Sequence, residues 1–222
     1  LSFDRVEVKF DLDKHDNPSS IYFKTSKDAN KLVEELMLLA NRRVAEFIGK
    51  LKQKKPFVYR VHDFPDEDKL TNLQNVAKSL GYQLDLNSNK INNSLNILLQ
   101  ESHGRSEQQL IDTLTIRAMS KAVYTTDNIG HYGLAFEHYT HFTSPIRRYP
   151  DIICHRLLSS LLTKKENSLK TEEMNKISTI STQKEKDATK AERQTIKLMQ
   201  TLFMKDKLGK KFRGIISGVT ER

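Results

Sequence analysis

The sequence predicts an α+β chain that is mostly helical, on three observations. An alternating run, Val6-Glu7-Val8-Lys9-Phe10-Asp11-Leu12, is followed by turn chemistry and then by Ile21-Tyr22-Phe23, as in a hairpin. Apolar residues then recur at helical spacing over long stretches, first in Leu32, Val33, Leu36, Leu39, Ala40, Val44, Phe47 and Ile48. Short strand-like runs between the helical ones are too few for a large sheet of their own.

Taken in order, Asp13 to Pro18 supplies the hairpin turn. Ser26 or Asp28 can cap the first helix, because each offers an oxygen to a free N–H of the first turn. Lys50 to Lys55 is a basic turn, and Phe57 to His62 reads as a short strand. A helix from about Pro65 to Leu80 ends at Gly81, which can take the left-handed conformation that closes a helix. After the polar Asn87 to Asn93, Ile91, Leu95, Leu98 and Leu99 mark a short helix. Leu110, Ile111, Leu114, Ile116, Met119 and Val123 mark another. Gly133 to Phe136 reads as a short buried strand. Thr143-Ser144-Pro145 reads as a helix opening, with Ile146 to Leu161 at helical spacing up to about Leu162. Thr163 to Met174 reads as a solvated loop. A long helix follows to about Lys207, with Ile177, Ile180, Ala188, Ala191, Ile196, Leu198, Leu202 and Phe203 on its apolar side. Alternation returns from Gly209 to Val219.

The chain has 222 residues and a formal net charge of +9, a balance that favours an acidic partner such as nucleic acid. The single cysteine, Cys154, excludes an internal disulfide and fits a reducing, cytoplasmic setting. Its apolar helical surroundings suit a core thiol better than a nucleophile. No apolar run reaches the length of a membrane span, so no membrane partner is expected. Oligomeric state is open in the sequence.

The densest chemistry lies in residues 131–158, which hold four histidines, three tyrosines and three arginines. With the helix opening at Pro145, Arg147 and Arg148 fall in the first turn, against the positive end of the helix dipole. Two cations there suit an anion gripped by both the guanidinium forks and the free N–H groups. The other reading is an arginine pair bridged to nearby carboxylates, with Tyr149 in the core. His131, His138 and His141 lack a zinc-ligand spacing, so no metal site is expected within this chain.

The run H-Y-G-L-A, then Y-T-H-F-T-S-P-I-R-R-Y-P-D and H-R, resembles the signature of the ribonuclease II/ribonuclease R family of processive 3′-to-5′ exoribonucleases. V-E-E-L-M-L-L-A-N, R-V-H-D-F-P-D, A-V-Y-T-T-D-N-I-G and K-A-E-R extend the resemblance along nearly the whole chain. It implies the C-terminal portion of that catalytic domain over residues 1–208. It further implies that residues 209–222 begin an OB-fold RNA-binding domain. The implied function is Mg²⁺-dependent hydrolysis of single-stranded RNA to nucleoside 5′-monophosphates.

By resemblance, Arg147 reaches the scissile phosphate, where a rigid, always-charged fork suits charge gathering on phosphoryl oxygens. Glu34 contacts the terminal ribose, and Glu192 lies beside the terminal nucleotide. Phe3 stacks on a base near the 3′ end, and Tyr124 lines the RNA path, although core packing is its ordinary role. Thr143 and Ser144 bind RNA, and Arg148 and Tyr149 position its backbone or brace the fold. The family's Mg²⁺-binding aspartates are expected upstream of Leu1, and the evenly spaced Asp11, Asp13 and Asp16 lack the rest of a calcium loop. The chain by itself is therefore expected to be inactive. The competing readings are a non-catalytic RNA-binding module on the same fold and, more remotely, a DNA-binding basic surface.

Overall fold

The computed structural model describes residues 7–87, 91–164 and 170–214. The hairpin forms as expected. Strand β1 (Glu7–Leu12) pairs antiparallel with β2 (Pro18–Lys24), and Asp13 Oδ1 accepts from the backbone N–H groups of His15 and Asn17 to close the turn. Helix α1 (Asp28–Gly49) follows. Its N-cap is Lys27 rather than Ser26 or Asp28, and Asn30 Oδ1 reaches back to the Lys27 N–H at 3.1 Å.

The apolar face expected on α1 is only partly used. Asn41, Ala45 and Ile48, spaced i, i+4, i+7, are buried. Leu32, Val33, Leu36 and Leu39 on the N-terminal half stand exposed, because no described residue covers them.

Strand β3 (Tyr59–Val61) pairs antiparallel with β4 (Val123–Thr125). Among the described residues the two strand pairs form two separate two-stranded sheets, and only β1–β2 is a hairpin. Period-2 alternation splits the run that contains β3. Phe57, Tyr59 and Val61 pack with Ala45, Ile48, Cys154 and Leu157, whereas Val58 points the other way, to Tyr124, Ile153 and Met174. The core thus lies on both faces of a very short sheet.

Between β3 and β4 runs a three-helix unit: α2 (Glu67–Ser79), α3 (Ile91–Ser102) and α4 (Gln108–Ala118). Leu70, Leu73, Leu95, Leu98 and Ile111 form its own core. Asp66 caps α2 by accepting from the Lys69 N–H at 3.1 Å. The helix closes as the glycine predicted. Gly81 sits at φ +88°, its N–H donates to Lys78, and the Tyr82 N–H donates to Ala77. Helix α4 stops at Ala118, so Val123 belongs to β4 and not to the helix.

Further expectations fail. Gly133 to Phe136 is not a strand. Tyr132–Leu134 forms one 3₁₀ turn closed by Ala135 in the left-handed region, and Phe136 bridges back to His131. Helix α5 spans Tyr149–Leu162 and takes Pro150, not Pro145, into its first turn. Helix α6 (Thr171–Lys205) starts inside the stretch read as loop and runs about 50 Å at 1.5 Å per residue. It buries Met174, Ser178 and Thr182, while Ile180, Leu198 and Leu202 remain exposed. No helix among the described residues is long and apolar enough to cross a membrane. Residues 209–214 carry no strand, and the rest of the alternation, 215–219, lies outside the described residues.

Candidate functional site

The signature stretch is held from three sides before it turns outward. Asn41 on α1, buried, accepts from the backbone N–H groups of Phe142 (2.9 Å) and Thr143 (3.2 Å), and its own amide donates to the Tyr139 hydroxyl at 3.1 Å. The Thr140 hydroxyl donates to the Val58 carbonyl at 2.7 Å. His155 on α5 stacks on Phe142 with ring centroids 4.0 Å apart, and its Nε2 lies 2.8 Å from the Phe142 carbonyl oxygen.

Beyond these anchors the chain makes a tight turn. The N–H groups of Arg147 and Arg148 donate to the Ser144 carbonyl at 3.3 and 3.1 Å. Asp151, in the first turn of α5 and fully buried, accepts from the Ser144 N–H and from Arg148 Nη2, both at 2.7 Å. One carboxylate therefore fixes the start of the turn and one of its two arginines.

The arginine pair divides as a result. Arg148 is the N-cap residue of α5 and is neutralised by Asp151, so the bridged reading applies to it. Arg147 projects exposed from the turn, and among the described residues no carboxylate lies within 4.0 Å of it. Both stand just ahead of the helix rather than inside its first turn, still at the positive end of the dipole. Ile146, placed by sequence on the helix's apolar face, is 98% exposed beside Arg147. Tyr149 is half exposed instead of core. Thr143 keeps a buried hydroxyl with no protein partner.

Behind the turn is a ladder of neutral rings. His62 stacks on His131, His131 meets Tyr139 edge-on, Tyr139 meets His141, and the Tyr124 hydroxyl lies 2.7 Å from His141 Nδ1. Burial, with a smaller push from Arg148 and Arg60, lowers the His141 pKa to about 2. Burial and the neighbouring His62 lower His131 to about 4. Tyr124 is pushed up to about 12 by burial. It is buried inside this ladder, in the core-packing position that is its ordinary role.

The ladder makes stability depend on pH. Each of these histidines has a folded pKa below its unfolded value near 6.5, so its contribution is fully present above pH 6.5 and is lost as pH falls toward the folded value. His141 alone gives a slope of roughly 1.4 kcal/mol per pH unit below 6.5. The urea midpoint is expected to fall steadily from pH 6.5 to 4.5, and to fall less steeply in His141→Asn. Equal slopes in the two proteins would remove His141 as a cause.

The remaining candidates lie elsewhere. Glu34 is exposed on the uncovered half of α1. Glu192 is exposed on α6, where it lines a groove of about 380 Å³ with Val8, Phe10 and Leu12 of β1 and Ile196 and Met199 of α6. No ion pair joins Glu34, Glu192 and Arg147 among the described residues. Phe3 lies outside the described residues. Cys154 is buried, and burial pushes its thiol up to about 12, which suits the core role. Among the described residues no three His, Cys, Asp or Glu side chains converge as a metal site would require. Asn41 and Asp151, which build the turn, were not singled out as site residues by sequence. The one available signal was that Asn41 ends the V-E-E-L-M-L-L-A-N run.

Comparison with known proteins gives a consistent result. Ribonuclease R of Aquifex aeolicus is 36% identical over 228 residues, covering 99% of this chain but 31% of that protein. The chain therefore spans about a third of the length of the curated relatives it matches. Mycoplasma genitalium RNase R, solved in complex with ribose-methylated single-stranded RNA, superposes with a TM-score of 0.88 at 29% identity, over 97% of this chain and 34% of that one. Yeast Ssd1, a pseudonuclease, matches with a TM-score of 0.61 at 25% identity, over 68% of this chain and 19% of that one. The fold seen here, helical with few strands, is that of the RNase R structures. The RNB domain family model matches residues 1–164, the span that holds the hairpin, the three-helix unit and the braced arginine turn, and the chain belongs to that family.

Proposed function

We propose that this chain is the C-terminal portion of the catalytic domain of a ribonuclease R-like 3′-to-5′ exoribonuclease that hydrolyses single-stranded RNA to nucleoside 5′-monophosphates. The observation that carries the reading is Arg147, an exposed fork with no carboxylate partner among the described residues, held out from a turn whose other arginine is already neutralised. A fork in that position can grip phosphoryl oxygens as charge develops on them. Similarity to an RNase R solved with single-stranded RNA supports the choice of substrate.

In this reading Arg147 steadies the phosphate. Glu34 and Glu192 hold the terminal nucleotide, with Phe3 stacked on a base. Thr143, Ser144, Arg148 and Tyr149 shape the wall around it. Among the described residues the side chains do not form a Mg²⁺ ligand set, so the ion is assigned to aspartates of a preceding segment and no step is routed through it. Residues 1–208 then belong to the catalytic domain, residues 209–222 open an OB-fold domain, and the protein acts in the cytoplasm.

A second reading is a non-catalytic RNA-binding module, favoured by the likeness to a pseudonuclease. A gel assay separates the two, using 5′-labelled single-stranded RNA with Mg²⁺ or with EDTA. The 222-residue chain is expected to leave the RNA intact, and the full polypeptide that carries it to shorten the RNA from the 3′ end only with Mg²⁺. A full polypeptide that binds RNA without degrading it would establish the module instead.

A further inference from the structure

Helix α6 touches both the body of the protein and the β1–β2 hairpin, and a single stripe of it does both. Its body half presents Asn175, Ser178, Thr182 and Glu185. Asn175 Oδ1 accepts from the Thr126 hydroxyl at 2.5 Å, and Thr182 Oγ accepts from the Tyr124 N–H at 3.0 Å. Seven-residue steps from Ser178 and Glu185 lead to Glu192 and Met199, which line the groove against β1. A heptad drifts by only about 20° on a straight helix, so the face held by the body is the face shown to the hairpin.

The strongest of the body contacts is an ion pair between residues 125 apart in sequence. Arg60 on β3 donates through Nη1 and Nη2 to the two carboxylate oxygens of Glu185, at 2.7 and 3.1 Å. This two-pronged geometry resists rotation in a way that one hydrogen bond does not. The same guanidinium lies 4.7 Å from the centre of the Tyr124 ring, whose hydroxyl meets His141. The Arg60 backbone N–H donates to the Tyr139 carbonyl at 2.9 Å. Its side chain is 13% exposed, whereas that of Glu185 is 39% exposed, so the pair is fixed on the Arg60 side and meets water on the Glu185 side.

We propose that Arg60 is a positioning residue. It sets the rotation of α6 through Glu185 and ties it, through Tyr124 and His141, to the stretch that carries Arg147. Residues contribute about 100° each to a helix, so a slip of one residue at Glu185 swings Glu192 away from β1. The activity part of this inference rests on the exoribonuclease reading, whereas its structural part does not.

The test uses the full polypeptide and three variants, Arg60→Met, Arg60→Lys and Glu185→Gln. The last leaves the core untouched and covers the case in which Arg60→Met fails to fold. Two readouts are taken, kcat and KM on single-stranded RNA, and amide hydrogen exchange by segment. Loss of the fork is expected to lower kcat about tenfold with KM within about twofold. Exchange should quicken over 186–200 and 7–12 while the three-helix unit, 67–118, keeps its protection. Arg60→Lys should recover little, because an ammonium lacks the planar fork. Unchanged exchange over 186–200 in both Arg60→Met and Glu185→Gln would overturn the proposal. So would an equal rise over 67–118, which would mean general destabilisation. A polypeptide inert on RNA would defeat the exoribonuclease reading, and the exchange data would still decide this one.

Discussion

Replacing Arg147 by alanine in the full polypeptide is expected to lower kcat on single-stranded RNA by about 10²–10³-fold while leaving RNA affinity nearly unchanged. The fork is exposed and carries no ion pair with a described residue, so its removal costs the fold little. Many other cations contribute to affinity, since the chain carries 37 Lys and Arg residues. A phosphate that gains charge during reaction has no such reserve. Arg147→Lys should fall between the two, because a point charge replaces a planar two-pronged donor. Single-turnover cleavage together with filter binding at fixed salt separates the terms. Turnover equal to the parent protein would remove Arg147 from the reaction.

The second large effect concerns stability. Asp151 is fully buried, and its Oδ1 serves both the Ser144 N–H and Arg148. Asp151→Ala leaves a largely buried guanidinium without its counter-charge and a turn N–H without its acceptor. Breaking a buried pair from one side costs about 3–5 kcal/mol. Asp151→Asn keeps an acceptor for Ser144 and should lose less. Urea denaturation of both variants measures this, and a midpoint within error of the parent protein in Asp151→Ala would show that the pair does not hold the turn.

These two residues also show where sequence reading succeeds and where it stops. Arg147 stood out because its neighbours form a chemically unusual run. Asp151 was legible only as one of the nearby carboxylates that could bridge the arginine pair. The chain offers two prolines able to open the same helix, Pro145 and Pro150, and local propensity accepts either. Asn41 and Asp151 decide between them by tying down residues 142–144, which makes 143–148 a turn and starts the helix at Tyr149. Ile146 fits a helical apolar stripe on paper and lies in solvent because that stretch is not helical. Gly133 to Phe136 misled in the same way, its short apolar run serving a 3₁₀ turn.

By itself the sequence determined the local elements with strong periodicity or punctuation. These are the first hairpin, α1, the α2 helix closed at Gly81, the helices that follow it and the long α6. It also determined the family, through motifs whose residue types few other contexts require. Tertiary structure decided which faces are covered, how the described strands pair into two separate sheets, and which of two adjacent arginines has no carboxylate partner among the described residues. It also decided that Arg60 meets Glu185 across 125 residues. The physical reason is one of range. Helix and turn preferences are set by neighbours a few residues away. The burial of a carboxylate, the partner of a guanidinium and the neutrality of a histidine depend on atoms brought together from distant parts of the chain.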